Sequence, residues 1–131
     1  MNFLRKVIKG TGITPTALCI EAFNLNFRNA VNVEWYNKGD LFEAIFYKDN
    51  IEHIALFNTD GILQEYTQYL PEGYLPESMK NILETRGEVM NSVLKNKGNT
   101  IEYEVIYRDK ELNRYLINFS DIGKVLEEKR L

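Results

Sequence analysis

Two stretches of alternating apolar and polar residues organise the chain. Phe42-Glu43-Ala44-Ile45-Phe46-Tyr47 runs into the turn Lys48-Asp49-Asn50, and Tyr103-Glu104-Val105-Ile106-Tyr107-Arg108 runs into Asp109-Lys110-Glu111. In both, an aromatic, a small or branched residue and an aromatic recur two apart, with Glu between the first two. A period of two marks a β-strand with one buried face. Similar runs follow in order. Ala30–Asn37, Leu41–Lys48, Ile51–Asn58 and Ile62–Tyr69 form a first set, and Glu88–Asn96, Thr100–Arg108, Glu111–Phe119 and Gly123–Arg130 a second. Turn residues separate them: Asn37-Lys38-Gly39-Asp40, Asp49-Asn50, and Thr59-Asp60-Gly61, whose Asp-Gly pair suits a type I′ hairpin with positive φ at Gly61.

Each set is preceded by a helical pattern. Thr14-Pro15 reads as N-cap and first helical position of a helix reaching Arg28. Its Leu18, Cys19, Ile20, Ala22, Phe23, Leu25 and Phe27 span more than half the circumference, an arc wide enough to need cover on two sides. The second helix, Glu77 to Arg86, has the narrower stripe Met79, Ile82 and Leu83 and stops at Gly87. Residues 1–13 read as a mobile N-terminal arm.

The halves match in kind and order. Pro15 corresponds to Pro76, and Phe57-x-x-x-Gly61 to Phe119-x-x-x-Gly123. Hairpin-length connections make neighbouring strands antiparallel, and joining two half-sheets removes edges that would otherwise aggregate. The predicted architecture is α+β. Two tandem helix-plus-four-strand repeats, about 14–70 and 75–131, form one curved antiparallel sheet with the helices packed on one face. Residues 14–131 form a single domain.

Composition adds limits. A chain of 131 residues buries a core without needing a disulfide or metal. A single cysteine, Cys19, excludes an internal disulfide. Net charge −3 argues against a nucleic-acid partner. No run approaches the roughly 18 apolar residues of a membrane span, and the first residues have charge but no apolar core of a leader. The chain as it stands reads as cytoplasmic, or as periplasmic or cell-envelope where a leader has been removed.

Candidate chemistry is sparse. His53 is the only histidine, so no metal site and no cofactor are expected. Cys19 lies within an apolar arc and reads as a packed thiol. There is no nucleophile elbow, P-loop or dinucleotide fingerprint. Glu43 and Glu104 occupy equivalent strand positions, on the side away from the helices, where they would be solvated carboxylates. Alternation puts Glu34, Tyr36, Ile45 and Tyr47 on that open side, with His53, Ala55, Phe57, Gln64 and Tyr66. Glu102, Ile106, Arg108, Arg114 and Leu116 continue it. Tyrosines and arginines among aliphatics suit a binding surface. Tyr36, Glu43, Tyr47, Glu104 and Arg108 are therefore the candidate partner-binding residues, and no residue is assigned a catalytic role.

Ala22-Phe23, Val33-x-Trp35, Phe42-x-Ala44-x-Phe46, Leu56-Phe57-x-x-Asp60-Gly61, Leu75-Pro76 and Tyr103-x-Val105 together resemble the bacterial PepSY-like family, whose fold is likened to that of β-lactamase-inhibitor proteins. The resemblance covers about residues 14–131. It implies the repeated helix-plus-four-strand unit, a non-enzymatic role and an envelope location. The functional expectation is a small non-catalytic binding or inhibitor-like module that holds a protein or peptide on its open face, as monomer or homodimer. The alternative is a pocket protein or enzyme of cone-like α+β fold, with a cavity between the first helix and the sheet lined by His53 and a glutamate.

Overall fold

The structure, a computed structural model, describes residues 12–71 and 73–131. The elements follow the expected order: α1 (Ala17–Asn26), β1 (Val31–Lys38), β2 (Leu41–Lys48), β3 (Ile51–Phe57), β4 (Leu63–Tyr69), α2 (Glu77–Glu84), β5 (Glu88–Asn96), β6 (Ile101–Arg108), β7 (Arg114–Ser120) and β8 (Val125–Arg130). The strands neighbour one another in chain order, β1 to β8, in one antiparallel sheet. The chain divides into two compact units between Tyr66 and Thr67.

In the first unit α1 begins later than its proline suggests. Thr16, not Thr14, is the N-cap, and its hydroxyl accepts the Cys19 amide at 3.2 Å. The Phe27 amide closes the helix on the Phe23 carbonyl at 2.8 Å. One stripe at spacing four, Cys19, Phe23 and Phe27, is buried. Among the described residues one side of the helix is covered, and Leu18 and Leu25 are 53% and 65% exposed; the expected cover of the second side by another element or another subunit is not tested by a single chain. A sheet contacts only a narrow stripe of a helix, and the remaining apolar residues face water.

That stripe meets Trp35, Ala44, Phe46, Ala55 and Phe57. The Phe23 ring lies edge-on to Phe46 at a centroid distance of 4.9 Å and to Trp35 at 5.5 Å. The mobile-arm reading of residues 1–11 falls outside the described residues. Ile13, also placed in that arm, instead packs against this core and donates its amide to the Trp35 carbonyl at 2.8 Å.

In the second unit Leu75, Met79 and Leu83 pack on Val105, Tyr107, Ile117 and Phe119. The two units repeat a detail of docking. Gly61 (φ +77) lies so close to α1 that a Cβ would meet the Leu18 carbonyl oxygen at 2.5 Å. Gly123 (φ +88) brings the same hairpin against α2, where a Cβ would meet Ser78 Oγ at 2.6 Å.

Positive φ at Gly61 holds, but the turn is not type I′. That type needs positive φ at both central residues, and Asp60 is not among the positive-φ residues. The loop has three residues, Thr59 to Gly61, closed by Gly61 N–H on the Asn58 carbonyl, with Asn58 Oδ1 accepting the amides of Asp60 and Ile62. The two-residue hairpin with paired positive φ is Asp49-Asn50 (53° and 64°).

Candidate functional site

The strand register fixes which side chains share a face, because directly paired residues point the same way. In the first unit Phe46 pairs with His53, Ala44 with Ala55 and Phe42 with Phe57. His53, Ala55 and Phe57 therefore lie on the helix face, with Ala55 and Phe57 in its core. Their expected place on the opposite face is wrong. Tyr66 is also on the helix side, its ring 5.1 Å from Phe27.

His53 is stacked between Phe46 (5.3 Å) and Tyr66 (5.6 Å), and its Nδ1 is 2.5 Å from the Tyr66 hydroxyl. Burial holds the imidazole below its usual pKa. The Lys48 carbonyl and the Asp49 charge oppose the shift and the Lys48 charge adds to it. Burial also raises Tyr66. A neutral ring accepting the tyrosine proton satisfies both groups. The space between α1 and the sheet is filled by rings, with His53 among them. Two open depressions, about 520 Å3 beside α2 and about 530 Å3 where the end of α1 meets Ala30 and, in β1, Val33, are not lined by His53.

The face away from α1 carries the candidates of the first unit. Tyr36 pairs with Glu43, which pairs with Leu56, and Glu34 pairs with Ile45. Tyr36 donates to Glu34 Oε2 at 2.5 Å, and Tyr47 to Glu52 Oε2 at 3.4 Å. Glu43 was expected to be solvated, yet it is fully buried, and Tyr36 is only 3% exposed. Glu43 lies between two large cross-strand neighbours, Tyr36 and Leu56. The Lys38 ammonium stands 3.6 Å from its carboxylate.

On the corresponding face of the second unit the side chains are half-buried and held by ion pairs across strands. Glu104 meets Lys95 at 2.9 Å, Glu102 meets Lys97 at 3.5 Å, and Arg108 meets Glu88 at 2.7 Å. Ile106 pairs with Leu116, and Leu116 with Lys129. Arg108 stands directly opposite Arg114.

One cluster escaped the sequence reading. Arg86, just after α2, grips Glu128 of β8 through Nε and Nη2 at 3.0 and 3.3 Å. Tyr107 donates to the same carboxylate at 2.5 Å and stacks on Tyr115 at 5.1 Å. The Arg86 hydrogen bond holds Glu128 below its usual pKa. Burial, then Glu128, pushes Tyr107 up to about 12. Tyr107, Tyr115 and Glu128 stand where Phe46, His53 and Tyr66 stand in the first unit, 61 or 62 residues earlier. Aligning the repeats residue by residue is the signal that finds them.

Neither a family model nor a curated protein matches the sequence. Solved structures do match. A BLIP-like protein of Bacteroides fragilis superposes with a TM-score of 0.79 at 19% identity, over 91% of this chain and 88% of that one. A DUF2874 family protein of Bacteroides uniformis gives 0.82 at 15% identity, over 89% and 90%. A protein of Bacteroides eggerthii provisionally described as periplasmic gives 0.82 at 14%, over 90% of each. At such identities the likeness shows the fold, which among the described residues is two helices with eight antiparallel strands in one unclosed sheet.

Proposed function

We propose that the chain is a non-catalytic binding module of the PepSY-like type that takes a protein or peptide on the sheet face away from its helices. One observation carries this reading. Tyr47, Glu104 and Arg108 are half-buried, and each is held by a neighbour on its own face: Glu52, Lys95 and Glu88. Large polar side chains fixed before association lose little entropy when a partner arrives, so they suit recognition. Tyr36 and Glu43 are buried on the same face of the first unit as Tyr47. The BLIP-like neighbour supports an inhibitor-like role, and the neighbour provisionally described as periplasmic supports an envelope location over a cytoplasmic one.

The test is affinity capture from envelope extract with the native chain, followed by binding measurements on the partner. Tyr47→Ala and Arg108→Ala should each weaken binding by more than about 1 kcal/mol, the scale of interface hot-spot residues, with melting temperature nearly unchanged. Equal binding by both variants, or protection by the partner confined to α1 and α2, would overturn the reading.

A further inference from the structure

The β6–β7 hairpin of the second unit is net acidic, with Glu102, Glu104, Asp109 and Glu111 against Arg108, Lys110 and Arg114, yet its register brings cations together at one place on the face away from α2. Arg108 and Arg114 are direct cross-strand partners, and Lys129 stands beside Leu116 on the next strand. Directly opposed side chains have their Cβ atoms only about 5 Å apart, and like charges so placed repel. Glu88 answers one of the three cations, Arg108. Among the described residues no carboxylate pairs with the side chain of Arg114 or Lys129. Ile106 and Leu116, themselves a cross-strand pair, set half-buried apolar surface beside the cations.

The loop joining the two arginines adds an independent sign. Leu112 sits at φ +68 and is 67% exposed. Left-handed backbone is uncommon for any residue but glycine and is an outlier for a bulky one. Asp109 holds the loop in this shape. Its side chain accepts the Glu111 and Asn113 amides, and its carbonyl accepts the Leu112 amide. A strained backbone that presents an apolar side chain to water costs stability in the free protein, and such strain gathers where binding occurs.

We infer that this hairpin, with Arg108, Arg114, Lys129 and Leu112, docks an acidic segment of a partner protein in which carboxylates alternate with apolar residues. This rests on the binding-module reading above and specifies its partner. A guanidinium fork donates two parallel hydrogen bonds to a carboxylate in planar geometry. Glu88 already compensates Arg108 in the free protein, so an incoming carboxylate is needed chiefly by Arg114 and Lys129. Leu112 and the Ile106–Leu116 pair receive the apolar residues.

Fluorescence anisotropy with two labelled decapeptides tests the inference, one alternating Glu and Leu and the other Lys and Leu, on the native chain at low and physiological salt. The acidic peptide should bind and the basic one should not, and binding should weaken as salt rises. Arg114→Gln should weaken acidic-peptide binding about tenfold or more, and Arg114→Glu should abolish it. Leu112→Gly should also weaken it while raising the melting temperature, because the strain is relieved. Lys124→Gln, away from the site, should bind as the native chain does. Circular dichroism and melting confirm that each variant is folded. No acidic-peptide binding by the native chain, or equal binding by Arg114→Gln, overturns the inference. If Tyr47→Ala and Arg108→Ala still weaken the captured partner in that case, the binding-module reading stands and only its acidic partner falls.

Discussion

Phe46 has no exposed surface and stands among the rings of Phe23, Phe27 and His53. Truncating such a residue removes its transfer energy and leaves a cavity that packed neighbours cannot fill. Phe46→Ala should therefore cost about 3–5 kcal/mol in denaturant melts, and a loss below about 1 kcal/mol would contradict the packing. This residue was legible from spacing alone, as were Trp35 and Val105, because two-residue periodicity needs only local information. The burial of Glu43 was not. Its pattern position is that of any outward-facing strand residue, and what buries it depends on neighbours brought alongside by other strands.

At the scale of elements, strand positions were more legible than the faces of those strands. A two-residue hairpin between Lys48 and Ile51 fixes the opposite partner of every residue in β2, so Phe46 must face His53 and Ala44 must face Ala55. Taking each strand's alternation separately lost that constraint and put His53, Ala55 and Phe57 on the wrong face. The turns rewarded a similar arithmetic. Asp60-Gly61 looked like a two-residue loop, but Asn58 caps a three-residue one. Helix docking then explains the glycine. Gly61 and Gly39 both have positive φ, but nothing lies within 4 Å of a Cβ built at Gly39, whereas the backbone of Leu18 blocks one at Gly61. Gly39→Ala should cost about 1–2 kcal/mol, the left-handed penalty alone, and Gly61→Ala distinctly more because α1 must shift. Equal losses in urea melts would show that the hairpin does not need this close approach to the helix.

At the scale of the whole molecule, the two repeats put different chemistry at one equivalent place, and the difference should be readable in pH. The first has the stacked His53–Tyr66 pair and the second the Arg86–Glu128–Tyr107 cluster. His53 is held below its usual value, so the unfolded chain binds its proton first. Its stabilising contribution is complete above the unfolded value of about 6.5 and is lost as pH falls below it. Tyr107 is shifted the other way, up to about 12. Its contribution is complete below the unfolded tyrosine value of about 10 and is lost as pH rises from there towards the folded value. Glu128, held low by Arg86, contributes above the ordinary carboxylate range and fails only in stronger acid. Melting temperature should accordingly be flat across neutral pH, with a first acid step below about 6.5 and an alkaline step above about 10. The lone tryptophan, Trp35, lies in the same core as His53, so its fluorescence should follow the acid step. His53→Phe, which keeps a ring between Phe46 and Tyr66, should remove that step and leave the alkaline one. Tyr107→Phe should shrink the alkaline step, to which Tyr66, also raised by burial, contributes, and leave the first acid step. An acid step that survives in His53→Phe would show that carboxylates govern it, since the chain has no second imidazole to titrate there.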